Sequence, residues 1–227
     1  MIIRCAWCKR VTGNKPPYGG KHDKEITDGI CPECLEKHLM KETPIIFSAN
    51  MVRAILNGTK TMTRRIIKPQ PSSNSKIFVR ALTNRLWWQE FDGYYEDAPP
   101  RMFKCPYGQV GDRLWVRESY CINALTEKPM YKADFIGTEW VLPAGGWRPS
   151  IFMPRWASRI TLEITEVRVE RLQEISREDV LAEGVSWQDY KQSYDWAFKK
   201  LWDSLNAKRG YGWDANPWVW VIGFKVI

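Results

Sequence analysis

The sequence predicts an α+β fold: a curled antiparallel β-sheet with flanking helices, preceded by a small cysteine-rich module. Three observations carry that reading. Arg159 to Leu172 alternates polar and apolar residues, the period of a half-buried strand. Trp187, Tyr190, Tyr194, Phe198, Leu201 and Leu205 recur at steps of three and four, the period of an amphipathic helix. Strand and helix signals are mixed without regular βαβ units, which favours α+β over a doubly wound sheet.

The chain has 227 residues, enough for one large domain or two small ones and for a sizeable core. Its 44% hydrophobic and 26% charged residues exclude disorder over the whole chain. No run approaches the roughly 18 apolar residues of a membrane span. Met1 to Cys5 shows no apolar signal core, so secretion is not expected and a cytoplasmic location is. Thirty-four Lys and Arg face 26 Asp and Glu, a net charge of +8 that favours polyanionic partners but also serves solubility. Thirteen Trp residues are many for this length; they serve as core or as base-stacking platforms, and core accounts for most.

Residues 1–43 form the first module. Cys5-Ala-Trp-Cys8 and Cys31-Pro-Glu-Cys34 are two CxxC pairs separated by 22 residues. A tight turn between paired cysteines supplies two thiolates, and two turns complete a tetrahedral zinc shell. The alternatives are disulfides or free thiols; reduced cytosolic conditions favour structural zinc on Cys5, Cys8, Cys31 and Cys34. His22 and His38 could substitute, but four cysteines already fill a closed site. Thr12 to Gly29 is polar and reads as turns or a short hairpin, and Leu35 to Met40 as a short helix. The result would be a zinc-ribbon or treble-clef-like module that needs its metal to fold. Cys105 and Cys121 have no partner at motif spacing and read as buried thiols.

The second domain spans 44–227. Ile45-Ile46-Phe47 reads as a buried strand. Ser48 caps a helix from Ala49 to Leu56, which Asn57-Gly58 ends. Pro44 to Ser75 holds five basic residues and no acidic one. Leu86-Trp87-Trp88 and Tyr94-Tyr95 suggest a hairpin around Asp92-Gly93. Arg113 to Glu118 reads as a strand after the Gly111-Asp112 turn. Stretches near 70–105 and 120–150 read as irregular inserts. A phase shift at Thr165 in the alternating strand predicts a bulge. Ser176-Arg177-Glu178-Asp179 begins a short helix that runs to Glu183-Gly184. Trp218 to Ile227 closes the chain as a strand.

Gly58-Thr59-Lys60-Thr61 is not a phosphate loop, because Thr59 separates the glycine from the lysine and no second glycine stands upstream. ATP hydrolysis therefore has no support. The segment from Ile45 through Gly58-Thr59-Lys60-Thr61-Met62-Thr63-Arg64-Arg65 instead resembles the opening motif of ASCH-domain proteins. Gly111 to Glu118 resembles the family's next strand and Trp218 to Ile227 its closing one. The likeness is to longer members often encoded by phages, some with an N-terminal zinc module. It implies a PUA-like β-barrel with flanking helices, a fold associated with RNA or modified-base recognition. Some small relatives are amidohydrolases that deacylate N4-acetylcytidine, and divergent ones have been linked to ribonuclease activity. The resemblance carries their Lys, Thr and Glu onto Lys60, Thr63 and Glu183.

Thr63 as a nucleophile needs a base, and Lys60 can be that base only if burial or cationic neighbours lower its pKa. Lys60 and Thr63 fall on opposite faces of an ideal strand, so the pair requires a turn or bulge. The plainer alternative is that Lys60, Arg64, Arg65 and Lys68 bind phosphates, with Arg113, Trp115 and Arg117 lining the same cleft. The expected function is binding of nucleic acid or a modified nucleoside, RNA before DNA, with no membrane role. The alternatives are an amidohydrolase or ribonuclease, and an adaptor whose zinc module docks a protein. If the chain is phage-encoded, its place is the cytoplasm of the bacterial host.

Overall fold

The computed structural model describes residues 2–6, 8–14, 26–29, 31, 40–72, 76–82, 85–91, 101–135, 145–185 and 193–227. The chain divides into two compact units, Met1–Lys41 and Glu42–Ile227.

In the first unit, β1 (Ile2–Cys5) is the middle of three strands, flanked by β2 (Val11–Asn14) and β3 (Ile26–Gly29). β2 runs antiparallel to β1 and β3 parallel to it. The polar stretch read as turns or a hairpin of its own therefore supplies two strands that each pair with β1. The helix expected from Leu35 lies, but for Met40, outside the described residues.

The second unit runs through β4 (Glu42–Ile46), α1 (Ala49–Leu56), β5 (Met62–Ile66), β6 (Lys76–Leu82), β7 (Arg85–Phe91), β8 (Arg101–Phe103), β9 (Arg113–Arg117), β10 (Tyr120–Ile122) and β11 (Pro129–Tyr131). It closes with β12 (Thr161–Arg171), α2 (Arg177–Ala182), α3 (Tyr194–Asn206) and β13 (Trp218–Val226). Five strands form the main sheet in the order β4-β9-β12-β13-β5.

This sheet departs from the expected antiparallel barrel in two ways. β4 and β9 are parallel, because the long connection between them lets the chain return to the same end before pairing. Among the described strands no ladder closes the sheet, and β4 and β5 are its edges. The sheet nevertheless curls: the Arg65 guanidinium on β5 donates to the Ile46 carbonyl at the end of β4 over 2.6 Å. A side chain spans the gap that a ladder would have closed.

Alternation sorts the sheet's two faces. Trp220, Ile222 and Phe224 join Phe47, Val52, Ile55, Leu114 and Leu162 in one core cluster. Val219 and Val221 join Met62, Val180, Phe198 and Trp202 in another, beneath α2 and α3. The β12–β13 register skips between Ile164 and Glu166, which leaves Thr165 as the expected bulge. That skip returns Val167 to the face of Leu162 and Ile164, so the strand stays apolar on one side.

Ser48 caps α1 by accepting from the Met51 amide, and Val52 and Ile55 are buried. α3 keeps Tyr194 and Phe198 of the expected face against Val219 and Val221, but Trp202 is buried beside them and Leu205 is 46% exposed. The helix starts with Ser193 accepting from the Trp196 amide, and toward its end Trp202 takes the place expected of Leu201 in the cluster with Val219 and Val221. Trp187 and Tyr190 lie outside the described residues. The expected hairpin at Asp92-Gly93 also lies outside them, and β7 pairs instead with β6 and β8. Among the described residues no helix is long and apolar enough to cross a membrane.

Candidate functional site

Two helix ends pinch the turn that carries Lys60. The Lys60 amide donates to the Ala54 carbonyl in α1 over 3.0 Å, and the Thr61 amide to Ala182 at the end of α2 over 2.8 Å. Gly184 permits this approach. Its φ is +75°, and a Cβ there would stand 2.8 Å from the Lys60 Cβ and 2.9 Å from the Ala54 Cβ. A side chain at 184 would thus meet both strain and collision. Lys60 and Glu183 face each other in an isolated antiparallel bridge, and β5 begins only at Met62. This supplies the bend that the spacing of Lys60 and Thr63 requires.

Lys60 is 1% exposed. Its ammonium donates to Glu183 Oε2 over 2.6 Å and to the Glu183 carbonyl over 2.8 Å. Burial lowers its pKa from the ordinary lysine value, and the Glu183 carboxylate opposes that shift. Arg64 reaches the other carboxylate oxygen of Glu183 at 3.4 Å. Its guanidinium also donates to Glu170 at 2.9 Å and to Asp179 at 2.5 Å. Arg168, beside it on the same sheet face, bonds Glu170 and Asp179 as well. Arg64 is thus an internal cation with three carboxylate partners, not a group held out to a ligand.

A cavity of about 850 Å³ runs along the open edge of β5. Thr63, Arg64, Arg65 and Lys68 line it from the strand, Glu183 from the end of α2, and Phe47 and Ser48 from the link between β4 and α1. Arg101, Phe103, Lys104 and Tyr107 line it from β8 and the following loop, and Arg209 from beyond α3. Among the described lining residues Glu183 is the one acid, and Lys60 and Arg64 already balance it. Thr63 is 3% exposed, and among the described residues its hydroxyl has no hydrogen-bond partner. Arg65 rests on the Phe47 ring at 5.1 Å, and its buried Nε has no partner. Burial pushes its pKa down from the ordinary arginine value, against the pull of Tyr107 and Glu183. An under-compensated cation in a recess wall is a place for an anion.

The structure brings Thr63, Arg64, Arg65, Lys68 and Glu183 to one cavity and sets Lys60 directly behind Glu183. It does not bring Arg113, Trp115 or Arg117 there. None of the three is among the lining residues: they lie on β9, where Arg117 pairs with Ile46 and stacks on Trp115 at 4.6 Å, and Trp115 is only 7% exposed. Sequence reasoning missed Arg101, Lys104 and Tyr107, which fall in a stretch without periodicity, and Arg209 beyond the helix. It also missed Glu170 and Asp179 as partners of Arg64. For Glu170 the polar positions of β12 opposite its apolar face were the available signal; Asp179, on α2, had none.

In the first unit Cys5, Cys8 and Cys31 place their sulfurs within 4.8 Å of one another. Cys34 lies outside the described residues. The parallel pairing of β1 and β3 sets Cys5 opposite Gly29, and Cys31 follows two residues on. The turn after Cys5 closes through Lys9 donating to the Cys5 carbonyl at 3.0 Å. Cys8 and Cys31 sulfurs are 3.6 Å apart, far beyond the ~2.05 Å of a disulfide. They are near the ~3.8 Å edge of a tetrahedron with metal–sulfur bonds of about 2.3 Å. This cluster could hold a metal ion.

No family model and no curated protein matches the chain. Among solved structures, an ASCH domain from Lactobacillus crispatus JV V101 aligns over 87% of this chain and 86% of its own, with a TM-score of 0.40 and 16% identity. A DUF984 protein from Enterococcus faecalis V583 aligns over 85% and 86%, with a TM-score of 0.38 and 12% identity.

Proposed function

We propose that the Glu42–Ile227 unit binds nucleic acid, RNA before DNA, or a modified nucleoside in the cavity along β5. One observation carries this reading. A recess of about 850 Å³, within the range of small-ligand sites, combines Arg65, Lys68, Arg101, Lys104 and Arg209 with the rings of Phe103 and Tyr107. Cations suit phosphates and rings suit bases. Glu183, held by Lys60 and Arg64, is placed to accept a hydrogen bond from a base amino group, and Thr63 can donate or accept beside it. The test is anisotropy of labelled single strands against salt. Four phosphate contacts would weaken binding roughly 50-fold between about 50 and 200 mM salt. Absent or salt-insensitive binding would overturn the proposal.

A second reading is hydrolysis of an N4-acylated cytidine. Its support is that the unpartnered Thr63 hydroxyl and the Glu183 carboxylate share the cavity. Burial also brings the neutral form of Lys60 closer to accessible pH. Thr63 would attack the acyl carbon while neutral Lys60 takes its proton and passes it through Glu183 to the cytosine amine as the C–N bond breaks; water would then cleave the acyl-threonine ester and release the acid. Acylated cytidines and short RNAs incubated with protein and read by mass spectrometry test it. Turnover that survives both Lys60→Ala and Thr63→Ala would eliminate the mechanism.

For the first unit we propose structural zinc on Cys5, Cys8, Cys31 and Cys34. Purified protein should carry one zinc per chain, and a strong chelator should unfold this unit. Protein without metal, with its β1–β3 amides still protected from exchange, would refute the assignment.

A further inference from the structure

Beyond the cavity, two aromatic rings stand in solvent on well-fixed backbone. Phe152 is 70% exposed and Trp156 67%, four residues apart on consecutive single turns at Ser150–Phe152 and Arg155–Ala157. Neither turn is loose. The Met153 and Ala157 amides close them onto Ser150 and Pro154, and the Met153 and Ala157 side chains are buried at 0% and 1%. The Tyr120 hydroxyl donates to the Phe152 carbonyl at 3.2 Å, and the Tyr131 hydroxyl to the Ala157 carbonyl at 2.9 Å. Large apolar side chains held in water by a rigid frame mark an interaction surface.

Charge and continuity name the occupant. Residues 145–159 hold three arginines and no acidic residue, and of these Arg159 is held by Glu118 and Asp134. Arg155, though paired with Glu42 at 3.0 Å, remains 44% exposed next to Trp156. Ser150, which opens the first turn, is itself a lining residue of the β5 cavity. The shelf thus continues from the cavity's rim. Rigid exposed rings with arginines among them suit base faces and phosphates, whichever the base.

We infer that Phe152 and Trp156 stack bases of a single-stranded nucleic acid that extends out of the cavity. The ligand is then a strand of several nucleotides and not a free nucleoside. This rests on the nucleic-acid reading of the cavity and adds the substrate class.

The experiment measures Kd for labelled single strands of one, two, four and eight nucleotides, with wild type and with Phe152→Ala/Trp156→Ala. Wild type should gain affinity with length. The double variant should bind the octamer at least about thirty-fold more weakly, since each of the two stacked bases contributes about 1–3 kcal/mol, and should bind the mononucleotide as wild type does. Phe152→Tyr/Trp156→Phe, which keeps both rings, should restore the octamer. Unchanged octamer binding by the alanine variant, beside tight wild-type binding, overturns the shelf and leaves the cavity reading intact. Equal weakening for mononucleotide and octamer also overturns it. Absence of nucleic-acid binding by wild type overturns both, and capture of a protein partner lost in the double variant would then assign the rings to a protein.

Discussion

Arg64 and Arg65 are consecutive on β5 and meet opposite surroundings. Arg64 points to the face of Val221, where Glu170, Asp179 and Glu183 converge on it. Arg65 points to the face of Trp220, where a ring and one carbonyl receive it and its Nε is left unpaired. One arginine is spent inside the fold and the other is available to a ligand. The basic run from Lys60 to Lys68 is therefore not one phosphate-binding stripe. Pleating divides it into an internal ion network and a cavity wall.

The sharpest test of that division is Arg64→Ala. It would remove the buried cation that three carboxylates share, leaving Glu183 to Lys60 and Glu170 and Asp179 to Arg168, and should cost about 3 kcal/mol in urea unfolding. A loss under about 1 kcal/mol would show that the network does not hold the fold. Arg65→Ala should reverse the pattern. The charged hydrogen bond it offers a phosphate is worth about 1.5–3 kcal/mol, so affinity for a single strand should fall at least tenfold by anisotropy, with a smaller loss of stability than for Arg64→Ala. Equal effects from both variants would erase the distinction. Lys68→Ala, on the exposed end of the wall, should reduce the salt slope of binding by about 0.7 and leave stability within about 0.5 kcal/mol. Thr63→Val should be the mildest: stability within about 1 kcal/mol, binding weakened a few-fold. A larger binding loss than for Arg65→Ala would move the recognition centre from the wall to the floor.

Legibility followed periodicity. Ser48, Asn57-Gly58 and Ser176 announce helix ends because their chemistry acts within a few residues. The Thr165 bulge shows as a break in alternation, which is also local. The first half of α3 was legible in Tyr194 and Phe198, but its end was not, because Leu201 and Trp202 are similarly apolar and only the contact with Val219 and Val221 chooses between them. The Lys60–Glu183 pair entered through family resemblance. Its geometry, with both ligands of the ammonium on one residue 123 positions away, has no local signal. Arg113, Trp115 and Arg117 illustrate the converse: basic and aromatic residues at the right period lie on the neighbouring strand and do not line the cavity.

By itself the sequence determined the strand periods, the helix caps, the cysteine spacing and the acid-free basic run, because each depends on residues near one another in the chain. The tertiary structure alone decided which cations are neutralised and which face a recess. That outcome depends on which face of β5 each side chain takes and on carboxylates brought from β12 and α2, and electrostatic partnership is set by distance in space, not along the chain.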